Sequence, residues 1–133
     1  MNSIFSGCKY IKSIDISNFK TDNVTDMSWM FNNCENLKEI KGLNNLNTNN
    51  VTNMKSMFQS CKNLESIDLS NFNTDNVTDM GWMFYGCENL KEINISNFNL
   101  KKECKINNIF DGIDKKKCKL ITNNEIIKNI FNK

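Results

Sequence analysis

The sequence contains no proline, no histidine and no arginine, and only five glycines. Without histidine the commonest general base is missing, and no glycine-rich stretch is available to cradle a phosphate. Without arginine there is no bidentate reader of phosphates or base edges. No apolar run approaches the roughly 18 residues that a bilayer crossing requires. The opening MNSIFSGCKYIKS also lacks the basic stretch and apolar core of a secretion signal. These absences point away from enzymatic chemistry, from nucleic acid and from a membrane span, and nothing in the composition calls for a cofactor or a metal.

What is present is biased. Of 133 residues, 26 are asparagine, with many lysines and isoleucines. The bias runs through the whole chain and forms no tract, so it does not mark a disordered segment. Net charge is +2, unevenly placed: residues 1–98 carry −3 and residues 99–133 carry +5. The basic end holds Lys101, Lys102, Lys105, Lys115, Lys116, Lys117 and Lys119. A lysine-only patch of this kind reads as a solvated face, with contact to an anionic surface as a distant second.

The dominant signal is a repeat. DNVTDMSWMFNNC at 22–34 returns as NNVTNMKSMFQSC at 49–61 and as DNVTDMGWMFYGC at 75–87. The pairs Met30-Phe31, Met57-Phe58 and Met83-Phe84 are spaced by 27 and 26 residues, with Ile4-Phe5 before them and Ile109-Phe110 after. Cys8, Cys34, Cys61 and Cys87 follow three residues behind, with Ile113 in the fifth place. The other half of each unit reads KSIDISNF at 12–19, ESIDLSNF at 65–72 and KEINISNF at 91–98. The second unit varies it as KEIKGLNNL at 38–46 and carries one extra residue. The first residues look like the middle of a unit, as expected of a fragment or a divergent end.

Each unit shows two periodicities. The alternation in Ile14-Asp15-Ile16 and Ile67-Asp68-Leu69 predicts a short strand. The steps of three and four through Val24, Met27, Met30, Phe31 and Cys34 predict one face of a short helix, with Asn33, Ser60 and Gly86 near its end. One such unit cannot bury its own apolar residues, whereas stacked units can. The repeated letters are therefore expected inside, each above its counterpart in the next unit.

Units of the form DxSNFxTxNVTxMxxMFxxC followed by xxLxxI resemble the 26-residue repeat of bacterial surface proteins, a domain of unknown function common in mycoplasmas and found also in lipoproteins of Gram-positive bacteria. The resemblance covers about residues 3–113. It implies an α/β solenoid, leucine-rich-repeat-like, of about four rungs of 26–27 residues, with one parallel β-sheet and short helical turns opposite. Residues 1–113 would form it, and 114–133 would be a C-terminal cap or a degenerate last repeat. In the cap, Asn123-Asn124 would start a helix through Ile126, Ile127, Ile130 and Phe131; in the degenerate repeat, Leu120-Ile121 would be the strand. The resemblance also implies a secreted or surface-attached protein, in some members linked to adhesion, with no catalytic residues to carry over. The chain shows no signal peptide, which leaves a cytoplasmic address open. Lys41-Gly42 breaks the Asp-x-Ser of the second unit, and 99–110 has lost Asn-Val-Thr.

Candidate residues follow from the pattern. Outward-facing strand positions would form a polar concave binding face: Lys12, Ser13, Asp15 and Ser17; Lys38, Glu39 and Lys41; Glu65, Ser66, Asp68 and Ser70; Lys91, Glu92, Asn94 and Ser96. Trp29 and Trp82 share a position that Ser56 fills in the middle unit, so they are expected to be partly exposed and, with Tyr85, to offer anchors to a partner. Cys8, Cys34, Cys61 and Cys87 are expected to be structural thiols filling small core sites. Disulfides between adjacent units are sterically conceivable, but a line of sulfurs does not converge on one point as zinc requires. Cys104 and Cys118 lie outside the line and could meet each other. The Asn-x-Thr triplets are expected to satisfy backbone groups at bends. The functional expectation is a non-enzymatic repeat module, acting as a monomer on a protein or glycan partner. The alternative is a structural spacer, or part of a longer array, without a binding role of its own.

Overall fold

The alternating apolar positions give each repeat one three-residue strand. The structure is a computed structural model that describes residues 1–133. Strand β1 (Ser13–Asp15) pairs in parallel with β2 (Glu39–Lys41), with Ile14 opposite Ile40. Strands β3 (Ser66–Asp68), β4 (Glu92–Asn94) and β5 (Lys119–Ile121) form a second parallel sheet in that order, with Ile67, Ile93 and Leu120 in register. One α-helix, α1 (Glu125–Phe131), follows β5.

This architecture overturns the expected four-rung α/β solenoid in two respects. There is no single sheet, because β2 and β3 do not pair. The helical turns expected on the other side are also absent. The cause is local. Two residues in each repeat adopt left-handed backbone: Trp29 and Asn33 (φ 52° and 57°), Ser56 and Ser60 (54° and 59°), Trp82 and Gly86 (56° and 69°). A left-handed residue every fourth position cannot sit in a right-handed helix. The amides instead alternate between two jobs. Those of Trp29, Phe31 and Asn33 donate to Lys55, Met57 and Gln59 of the next repeat at 2.8–2.9 Å. Those of Asn32 and Cys34 close four-residue turns on Trp29 and Phe31. Turns closed at steps of three leave the apolar positions on one side, which is why the spacing imitates a helix.

The sheet break also has a local cause. The extra residue of the second unit falls after β2, where Gly42 turns left-handed at φ 86° and leads into a single 3₁₀ turn, Leu43–Asn45.

The repeated apolar residues meet their counterparts inside. Phe5, Phe31, Phe58, Phe84 and Phe110 stack with ring centroids 5.5–6.0 Å apart, and the rings lie within 10° of parallel. Phe131 of α1 closes this column edge-on at 5.1 Å from Phe110. These distances match the usual range for favourable aromatic pairs. Met27, Met54 and Met80 are fully buried, as are Cys34, Cys61 and Cys87. Helix α1 starts on Asn124, whose side chain accepts from the Ile127 amide at 3.1 Å, and it buries Ile127 and Phe131. At the opposite end Phe5 and Phe19 stack at 6.1 Å and stay half-buried.

Asparagine serves mainly as a clamp between repeats. Asn36, Asn63 and Asn89 donate from Nδ2 to the carbonyls of Lys9, Glu35 and Lys62 at 2.8–2.9 Å. Asn71, Asn97 and Asn123 do the same to Leu43, Ser70 and Ser96. Within the Asn-x-Thr triplets, Asn50 and Asn76 reach back to Asp22 and Asn49. The hydroxyls of Thr52 and Thr78 reach Thr25 and Thr52. These bonds run between repeats, not within the local bend that the sequence pointed to. A side-chain amide satisfies carbonyls that short strands leave free, and this accounts for much of the asparagine excess.

Candidate functional site

Strand alternation buries Ile14, Ile67 and Ile93 and turns their neighbours outward. Lys12, Ser13, Asp15, Lys38, Glu39, Lys41, Glu65, Ser66, Asp68, Lys91 and Glu92 are exposed on this strand face, and Asn94 is half-buried. The Asp-x-Ser positions have a building role. Asp15 and Asp68 accept from the amides of Ser17 and Ser70 at 2.9 Å, and Asn94 accepts from Ser96 at 3.2 Å. Hydrogen bonds from the Ser17 side chain and amide hold the Asp15 carboxyl below its ordinary value. Ser70 acts in the same way on Asp68. Both stay ionised while they shape the turn.

The charges on this face divide into two halves. On the second sheet, Lys91 pairs with Glu65 at 2.7 Å and Lys119 with Glu92 at 3.5 Å. The bond from Lys91 also lowers the Glu65 carboxyl. On the first sheet, Lys12, Lys38, Lys41 and Glu39 have no ion-pair partner. Glu39 there accepts only a long 3.4 Å hydrogen bond from the Ser13 hydroxyl.

Between the sheets lies a groove of about 550 Å³. Ile40, Leu43, Leu64 and Ile67 supply its apolar lining, and Lys38, Glu39, Ser66 and Asp68 are among its polar residues. Sequence reasoning did not find this groove. The one available signal was the extra residue at Lys41-Gly42, which read only as a departure from the pattern.

The tryptophans are built into the opposite side. Asp26, Asn53 and Asp79 accept from the amides of Ser28, Lys55 and Gly81 at 2.8–3.0 Å. Each of these turns immediately precedes a left-handed residue: Trp29, Ser56 or Trp82. Burial works to raise the Asp26 carboxyl, but bonds from the Ser28 hydroxyl and amide and from Asn2 outweigh it and hold the group low. Trp29 and Trp82 are half-buried, and the Lys55 ammonium lies between them, 5.4 Å and 5.0 Å from the two ring centroids. Ser56, their counterpart in the middle repeat, is buried. Tyr85 is exposed.

All six cysteines are free. Cys34, Cys61 and Cys87 donate from Sγ to the carbonyls of Phe5, Phe31 and Phe58 at 3.0–3.2 Å. Cys8 is half-buried. Burial, and after it the neighbouring Cys8, pushes the Cys34 thiol up to about 11. Burial pushes Cys87 up to about 12 and Cys61 well above its ordinary value. These protonated thiols are poor nucleophiles and poor metal ligands. No group of three or more cysteine, aspartate or glutamate side chains is gathered in a way that could hold a metal ion.

No helix is long and apolar enough to cross a membrane. No curated protein and no solved structure matches the chain. A family model does match, over residues 1–124. The repeat that stacks these phenylalanines and thiols belongs to that model, and the chain is a member of the family described as Mycoplasma protein of unknown function, DUF285.

Proposed function

We propose that this protein is a non-enzymatic interaction module that engages a protein or glycan partner through its exposed strand face, in adhesion-type contact at a cell surface or after secretion. The reading rests on the unpaired charges of Lys12, Lys38, Lys41 and Glu39. On the other sheet two ion pairs tie Lys91 to Glu65 and Lys119 to Glu92, whereas these four have no ion-pair partner. Charges of this kind set partner choice and association rate more than raw affinity. The module acts as a monomer and uses no cofactor. Neither nucleic acid nor a membrane span enters the proposal.

The test is a quadruple charge reversal: Lys12→Glu, Lys38→Glu, Glu65→Lys and Lys91→Glu. All four side chains are exposed, so folding is expected to survive, with circular dichroism as the check. Immobilised wild-type and reversed proteins are compared for capture of host-cell surface proteins and glycans. The expected result is at least a tenfold loss of a specific partner, with the remaining interaction weakened by salt. A partner retained in full by the reversed protein would remove the strand face from the proposal and favour a structural spacer.

A further inference from the structure

We propose that the groove between β2 and β3 takes an extended peptide segment of a partner, aligned with both strands and setting one apolar side chain against Ile40. This inference rests on the interaction-module reading and specifies its ligand. Three observations carry it.

The first is missing backbone pairing. At the β1–β2 junction the Ile16 amide donates to Lys41 at 2.9 Å and the Lys38 amide to Lys12 at 2.8 Å. At the β3–β4 junction the Leu69 amide donates to Asn94 at 2.8 Å and the Lys91 amide to Glu65 at 2.7 Å. The equivalent bonds between β2 and β3 are not made. Bonds on either side of the groove hold it in place: the Asn63 amide on Glu35 at 3.1 Å, and Asn71 Nδ2 on Leu43 at 3.3 Å. Facing strand edges without partners are a template for another strand.

The second is the lining. Ile14, Ile67 and Ile93 are 7%, 5% and 0% exposed, but Ile40, their counterpart at the break, is only half-buried. An apolar residue of a bound segment would cover it, seated beside the buried Leu43 and Leu64. The third is charge. Lys38 on one wall and Asp68 on the other have no ion-pair partner. A segment carrying an acidic residue on the β2 side and a basic residue on the β3 side matches both. A strand pairs through its main chain and uses alternate side chains for specificity, which is what these walls offer.

The experiment is selection from a phage-displayed library of linear peptides about ten residues long. Calorimetry on wild type, Ile40→Glu and Ser66→Trp would follow. Ile40 is half-buried and Ser66 exposed, so both variants are expected to fold. Selected peptides should bind both variants at least tenfold more weakly and should slow amide hydrogen exchange within 38–44 and 64–70. Failure to select any peptide overturns the proposal, as does a set that binds Ile40→Glu unchanged or protects amides elsewhere. Dimerisation of the protein that Ile40→Glu abolishes would make the occupant a second copy and would also overturn it. The two readings fail separately. A partner lost on charge reversal at Lys12 and Lys91 but indifferent to Ile40→Glu sinks the groove and keeps the module. Peptides held in the groove, beside partners indifferent to all four reversals, do the opposite.

Discussion

Gly42 passes so close to Ser17 that a Cβ on it would lie 2.5 Å from both the Cα and the amide nitrogen of Ser17. Its φ of 86° is itself a conformation that side chains resist. This contact fixes the point where β2 turns away and the groove opens. Gly42→Ala carries both penalties and should lose about 2–4 kcal/mol. Gly7 has a similar φ of 77°, but a Cβ there would meet nothing within 4 Å, so Gly7→Ala should lose only about 1 kcal/mol. Urea denaturation of the two variants checks the difference.

A second prediction concerns Lys55, whose ammonium lies between the Trp29 and Trp82 rings. Lys55→Met keeps most of the aliphatic length but removes the charge, and should cost about 0.5–1 kcal/mol. Lys55→Ala also uncovers ring surface, so it should cost more and shift tryptophan emission to the red. Lys55→Arg should keep both signals near wild type. Fluorescence and denaturation read the series together. An unchanged emission in Lys55→Ala would mean that the rings do not depend on this side chain for cover.

Which parts of the fold the sequence reveals follows from the physics of repetition. Phe31, Phe58 and Phe84 recur because packing one repeat on the next needs the same shape each time, so the buried columns can be read directly. The backbone conformation cannot. Trp29, Ser56 and Trp82 all adopt left-handed φ, yet tryptophan and serine are not residues that signal it, and the helix inferred from their neighbours is absent. The exposed strand residues were legible from alternation alone. The groove was not, since one extra residue shows that the pattern is disturbed but not that two strands come apart. Asparagine abundance was visible, but its use between repeats needs the three-dimensional spacing.

The thiols give a third prediction, on pH. Burial raises Cys34 to about 11 and Cys87 to about 12, from an ordinary value of 9.0, and Cys61 moves in the same direction. Above about pH 9 the unfolded chain releases thiol protons that the folded chain keeps. The stability these groups contribute is therefore complete below about pH 9 and is lost as pH climbs toward 12. Between about pH 8 and about pH 10 the urea midpoint should fall. A Cys61→Ala, Cys87→Ala variant should be less stable at the lower pH but should show a shallower fall. Iodoacetamide on native protein, read by mass spectrometry, should label half-buried Cys8 and Cys104 before buried Cys61 and Cys87.

The fourth prediction tests the polar bonds between repeats. The buried hydroxyl of Thr48 donates to the Asn73 carbonyl at 3.1 Å and accepts from the Asn73 amide at 2.8 Å. Thr21 makes the same two bonds with Asn47, and Thr74 makes them with Asn99. One oxygen thus satisfies both backbone groups of a residue in the next repeat. Thr48→Val preserves the volume but leaves that amide and carbonyl unpaired, at about 1–3 kcal/mol for each buried group left without a partner. Thr48→Ser keeps the hydroxyl and gives up one methyl, so it should lose only about 1 kcal/mol. If Thr48→Val proved no worse than Thr48→Ser in urea, shape and not hydrogen bonding would account for the threonine, and the paired bonds at Thr21 and Thr74 would lose their significance too.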